Sequence, residues 1–175
     1  MPANEILAFA DELGITAAPA GPAPEKELHL VVFRVEREEY AVPIKEVREV
    51  VRVGDITRVP HAPPHIRGVM NLRGRILPIM ELRTRLGVDA AELTPRSRVV
   101  VVDVSKRMVG LLVDSVAQVT RVGESRVTAP PEEVRTAAGD AVTGVARAGE
   151  RLLLLLDLER VLRSDVHDTS TPMAS

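Results

Sequence analysis

The chain has 175 residues, a formal net charge of −2, 45% hydrophobic content, 2% aromatic residues and no cysteine. Such a length suits one domain, or two small ones sharing a core that valine and leucine must fill in place of aromatic rings. The lack of Cys excludes disulfides, thiolate chemistry and sulfur-ligated metals, and the near-neutral charge gives no electrostatic reason to expect nucleic acid or an anionic membrane.

At the N-terminus Asn4 is an N-cap by residue type, Glu5 stands in the first turn, and Gly14 stops the segment; Ile6, Ala10 and Leu13 share one face. A helix of about nine residues is marginal alone in water, so it needs a surface, its own domain's or a partner's. Acids stand here where a secretory signal carries basic residues. The longest aliphatic run, Leu152 to Leu156, is five residues against the roughly 18–20 that span a bilayer. A cytoplasmic protein is expected. Residues 16–26 are Ala/Pro-rich and read as a semi-rigid linker. The folded domain is therefore expected over residues 27–163, followed by a flexible tail over 164–175.

From Glu27 onward the pattern is β. Leu28 to Val35 reads as a strand, Glu36-Arg37-Glu38-Glu39 as a charged turn, and Tyr40-Ala41-Val42 as the return. Val47, Val50, Val51 and Val53 form another strand ending at Gly54-Asp55, and Ile56 to Val59 leads into a corner at Pro60, Pro63 and Pro64. The next stretch, Gly68 to Leu82, is two strands around Arg73-Gly74-Arg75, where a Gly supplies the positive φ of a hairpin turn. Pro78 lacks a backbone donor and argues for an edge position or a bulge. Glu81 to Gly87 reads as about one and a half helical turns closed by Gly87, with Glu81 placing a carboxylate at the helix start. Beyond it, Val99 to Val104, Met108 to Val113, Val116 to Val122 and Leu152 to Leu156 are further short strands, a spacing typical of a sandwich or barrel.

The residues Gly68-Val69-Met70-Asn71-Leu72-Arg73-Gly74-Arg75-Ile76-Leu77-Pro78-Ile79-Met80-Glu81-Leu82, followed by Arg83-x-x-Leu86-Gly87, resemble the signature of CheW-type coupling proteins, the adaptors of bacterial chemosensory arrays. The resemblance runs from about Glu27 to Leu162. It departs from the pattern mildly at Glu81, where Asp is the commoner residue. It implies an all-β fold of two small five-stranded SH3-like barrels packed together with strands exchanged between them.

Self-comparison points the same way. A shift of 69 residues sets Val32-Phe33-Arg34-Val35 on Val101-Val102-Asp103-Val104 and Val50 to Asp55 on Val119 to Glu124. A shift of 76 sets Gly68-Val69 on Gly144-Val145 and Ile76 to Leu82 on Leu152 to Leu158. One β-module used twice, with a seven-residue insertion around Pro130 to Asp140, is expected. Asn71-Leu72-Arg73-Gly74 falls opposite Arg147-Ala148-Gly149-Glu150, so the first hairpin tip is specialised. Core positions repeat because both barrels need filling; a tip that does not repeat is the better functional candidate.

Alternation places Val47, Val51 and Val53 on one strand face, with Glu49 on that same face, an odd place for a charge unless a cation meets it. The resemblance implies that Glu49 and Arg73 belong to one polar surface for receptor and kinase. Arg suits Glu because its planar guanidinium grips a carboxylate with two hydrogen bonds. Val47, Gly68, Asn71 and Gly74 complete the candidate partner-binding set. Gly68 equally suits a bulge, and Asn71 a cap on its own hairpin.

His61 and His65 are separated by two prolines that break any helix able to bring them together, so no metal is expected, and no cofactor either. Asp103 lacks the alternating strands and helices of a phosphoacceptor domain and reads as a hairpin residue. No nucleophile elbow or phosphate-cradling loop is present, which disfavours an enzyme. Arg67 to Arg85 holds five Arg against one acid, and a small β-barrel binding single-stranded nucleic acid is the alternative reading. Two Phe, one Tyr and no Trp leave such a site without stacking platforms. The expected function is a non-catalytic adaptor, monomeric when free. Its partners by resemblance are the regulatory domain of a chemosensory histidine kinase and the cytoplasmic tip of a receptor, which recruit it to membrane-associated arrays.

Overall fold

The computed structural model describes residues 26–133 and 140–163, so the expectations for the N-terminal helix, the linker up to residue 25 and the tail lie outside the described residues. The strands are β1 (Glu27–Val35), β2 (Glu38–Pro43), β3 (Val47–Arg52), β4 (Ile56–Thr57), β5 (Ile66–Leu72), β6 (Arg75–Glu81), β7 (Arg98–Val104), β8 (Arg107–Val113), β9 (Ser115–Gly123), β10 (Val127–Thr128), β11 (Val142–Ala148) and β12 (Arg151–Leu156). They form two six-stranded sheets, in the orders β3-β7-β8-β6-β5-β4 and β10-β11-β12-β2-β1-β9. Each barrel thus has the expected five long strands plus a two-residue one, β4 or β10.

The exchange of strands follows from those orders. The first barrel takes β3 to β6 from the first copy and borrows β7 and β8 from the second. The second barrel takes β9 to β12 and borrows β1 and β2. Registers repeat pair by pair: Leu30 faces Pro43 as Val99 faces Leu112, and Ile66 faces Met80 as Val142 faces Leu156. The offset is 69 at β1/β7, becomes 71 at β4/β10 and 76 at β5/β11. The insertion is therefore split, two residues entering at the 3-10 turn Glu124–Arg126 and five between β10 and β11.

Borrowed strands must be apolar on both faces, and this explains the valine runs. Val31, Phe33 and Val35 of β1 and Val100, Val102 and Val104 of β7 face the core between the barrels. Leu30 and Val32 face the interior of the second barrel, Val99 and Val101 that of the first. Phe33 and Tyr40, cross-strand partners, stack at 6.4 Å inside the shared core. Gly110 is required because a Cβ there would stand 2.6 Å from Val99 Cγ1 and 2.8 Å from Ile79 Cδ1.

Local differences from expectation have physical causes. The turn after β1 is two residues, Glu36-Arg37, and Glu39 belongs to β2 because Arg151 neutralises it there. Pro78 stands just before β6 begins pairing with β8 at Ile79, so its missing donor falls where only β5 is a neighbour. The bulge lies on that partner strand, at Arg67. The one-turn helix Leu82–Arg85 ends as expected: Gly87, at φ 81°, donates to Thr84 O and Val88 to Arg83 O, the Schellman arrangement.

Candidate functional site

The β5–β6 tip has both central residues at positive φ, 53° for Arg73 and 87° for Gly74, the type I′ pattern whose twist suits a hairpin. Asn71 Oδ1 accepts the Gly74 N–H at 2.9 Å, so Asn71 caps its own turn. From this fixed tip Arg73 reaches across to β3. Its Nη1 donates to Glu49 Oε2 at 2.6 Å and its Nη2 to Oε1 at 2.8 Å. The two strands are far apart in sheet order, so the pair bridges the barrel across its open side.

The hydrogen bonds from Arg73 hold the Glu49 carboxyl below the usual range and raise the guanidinium in return. The Arg73 side chain is 70% exposed, and surface pairs of this kind add little to stability. Two of five guanidinium donors are spent, and the rest face solvent. Ile76, cross-strand from Asn71, is 64% exposed. It belongs to the motif but not to the candidate partner-binding set, although its parity, opposite to the buried Leu77 and Ile79, marks it as outward. Charge, fixed donors and an apolar anchor are what a protein interface uses.

The structure therefore brings Glu49, Asn71, Arg73 and Gly74 together and separates two other candidates. A bulge at Arg48 lets Val47 face Val102 while Glu49 faces Val101, so Val47 turns away from Glu49 into the shared core. Val51 remains on the Glu49 face. The assumption of unbroken alternation failed at that bulge. Gly68 is buried at the β5 bulge, and a Cβ there would lie 2.2 Å from Thr57 O. It acts through the backbone.

The arginine run is largely consumed internally. Arg67 pairs with the buried Glu81 at 2.7 Å. Glu81 occupies the N-cap position of Leu82–Arg85 without capping it, which corrects the expected role of its carboxylate. Arg83 holds Asp114 through two bonds of 2.9 and 2.7 Å, and the Glu36 N–H adds a third at 2.7 Å. Burial pushes the Asp114 carboxyl up, but these donors outweigh it and leave it below its ordinary value. Arg85 donates to the carbonyls of Val161 and Arg160, at the end of helical residues 158–163. Arg75 lies 3.5 Å from Met108 Sδ. Little of the run is left for a nucleic-acid strand. Asp103, the last residue but one of β7, is a hairpin residue paired with Met108 of β8 and takes Arg48 at 2.7 Å. Arg67 falls opposite Thr143 and Asp114 opposite Lys45 in the repeat. Non-repetition, which marks the tip, marks Arg67 and Asp114 as well but names no partner for either.

Comparison with known proteins adds a family. A model described as the CheW-like domain matches residues 29–166. A chemotaxis protein CheW of Klebsiella aerogenes is 34% identical over 135 residues, 77% of this chain and 81% of that protein. One from Rhizobium meliloti is 36% identical over 141 residues, 81% of this chain and 91% of that protein. The crystal structure of the scaffolding protein TtCheW from Thermoanaerobacter tengcongensis matches with a TM-score of 0.72 at 31% identity, covering 78% of this chain and 93% of that one.

Proposed function

The chain belongs to the CheW-like domain family, and on that premise we propose that it joins the regulatory domain of a chemosensory histidine kinase to the cytoplasmic tip of a receptor. It is a scaffold of chemotaxis signalling, and binding rather than catalysis is its work. The observation that carries the partner surface is the Arg73–Glu49 pair, bidentate and exposed at the one tip that the repeat does not share. A pair so placed contributes little to folding and fixes the direction of two charges for a partner.

The test is reconstitution of the chain with kinase and receptor, read by co-sedimentation. Arg73→Glu should leave the fold intact and weaken recruitment by roughly 10- to 100-fold, the loss expected of an interface anchor. Normal recruitment by Arg73→Glu and by Glu49→Lys would remove this surface from the assignment.

A further inference from the structure

The second barrel carries a basic groove, although the chain as a whole is slightly acidic. Its cavity of about 630 Å³ is lined by Arg121, Arg126, Arg147 and Arg151, with Glu27 the single acid on its wall. Arg151 is committed to Glu39. Arg121, Arg126 and Arg147 are exposed and have no ion-pair or hydrogen-bond partner among the described residues. Three uncompensated guanidinium groups around one concavity raise the local potential and favour an acidic occupant.

The chain offers such an occupant in its own N-terminal sequence. Before Lys26 it has Glu5, Asp11, Glu12 and Glu25 and not one Lys or Arg. The described chain starts at the groove itself: Glu27 lines it, and the Lys26 carbonyl accepts the N–H of Glu124, next to Gly123 on its wall, at 3.0 Å. Residues 15–25 are an eleven-residue tether, able to span up to about 36 Å. Leu152, 55% exposed, is the cross-strand partner of Arg147 and offers an apolar contact to Ile6, Phe9 or Leu13. We propose that residues 1–14 dock in this groove as an acidic ligand of their own chain. Tethering places the segment at an effective concentration on the order of millimolar. An acidic partner surface must displace it to reach the second barrel, whereas the Glu49–Arg73 tip stands on the other barrel.

The full chain tests this directly. It has no Cys, so Ala8→Cys accepts a single nitroxide whose paramagnetic broadening of amide signals locates the segment. Selective loss of the Arg121, Arg126, Arg147 and Gly149 signals is expected. The loss should be relieved at about 1 M salt, where the Debye length is about 3 Å. Arg121→Glu with Arg147→Glu should abolish it, and adding Asp11→Arg with Glu12→Arg should restore it. Should the groove variant fold poorly, Asp11→Arg with Glu12→Arg alone must still release the segment. Broadening centred elsewhere, for example on the apolar groove at Leu28 and Ile44, would overturn the proposal. So would broadening that decays only with distance from Lys26, or that ignores salt and charge reversal.

Discussion

The two central hairpins, β5–β6 and β11–β12, share their register down to the bulge but staple their barrels with different ion pairs. In the second barrel Arg151, first residue of β12, grips Glu39 of β2. In the first, the residues at the matching positions are Arg75 and Met108, and the staple has moved to the tip as Arg73–Glu49. The side chains of the Arg151 pair are 39% and 14% exposed, those of the Arg73 pair 70% and 31%. The turns changed with the staples. Arg73-Gly74 has two positive φ values, whereas in Gly149-Glu150 only the first residue has one, as in a type II′ turn. One backbone thus closes in two ways, and the copy whose staple lies at its tip holds that pair the more exposed of the two.

The largest contrast expected between the copies is at the bulge glycines. A Cβ on Gly68 meets Thr57 O at 2.2 Å, backbone that cannot yield, while on Gly144 it meets Thr128 O at 3.4 Å and Val127 Cγ1 at 3.1 Å. Gly68→Ala should cost about 3 kcal/mol or more, and Gly144→Ala about 1. At this chain length that corresponds to roughly 6–12 °C against 2–4 °C in thermal midpoint. Equal losses in a calorimetric scan would mean the two bulges are packed alike.

Next come Glu81 and Asp157, which the repeat superimposes at the start of their helices. Asp157 Oδ1 accepts the N–H of Glu159 at 3.0 Å and caps helical residues 158–163, while Glu81 leaves its cap unmade and pairs with Arg67. Asp157→Ala should cost about 1 kcal/mol as a lost N-cap. Glu81→Ala should cost about 2, below the figure for a fully buried pair because Arg67 can still reach water. A greater loss at Asp157 in urea titrations would show that the Arg67 bridge only offsets the burial of its own charge.

These contrasts also show what was legible from the residues. The repeat was readable because apolar periodicity and glycine spacing survive in both copies, as in Val99 to Val102 and at Gly68 and Gly144, whereas the strand exchange was implied only by the family resemblance. Glu49 was legible as a charge on an apolar face of β3 that called for a cation, and the family resemblance set it on one surface with Arg73; the contact itself comes from the structure. Val47 was misplaced because a bulge is one extra residue with no sequence mark, and it reverses every side chain on one side of it. Arg83–Asp114 went unseen because the two are far apart in the chain and belong to different copies.

Acid should separate the staples by a smaller margin. Arg151 holds the Glu39 carboxyl below its ordinary value, as Arg73 holds Glu49. A carboxyl lowered in the folded state binds its proton more readily when unfolded. Its contribution is fully present above the ordinary value of about 4.3 and is lost as pH falls through the lower folded value. Urea midpoints followed downward from pH 5 should therefore drop, and Arg151→Ala should flatten that drop more than Arg73→Ala, because Glu39 is the less exposed acid. The reverse order would place the stronger staple at the tip.

The smallest effect is expected from rebuilding the first tip on the second copy. Gln118 and Gly149 stand where Glu49 and Arg73 stand, and Glu150 stands where Gly74 does. Gly149→Arg alone puts a side chain on a residue at φ 67° in a turn of type II′ pattern; that conformation is strained for an L-residue and should cost about 1 kcal/mol or more. Glu150→Gly should recover part of this by allowing the type I′ pattern of Arg73-Gly74. Adding Gln118→Glu then offers the carboxylate, and a double-mutant cycle between positions 118 and 149 should read about 0.2–1 kcal/mol, the range for an exposed pair. Zero coupling in the triple variant would mean that the two charges do not build the bridge by themselves. The Asn71 side chain on the Gly74 N–H, replaced in the second copy by Arg147, would then be the part that aims the arginine.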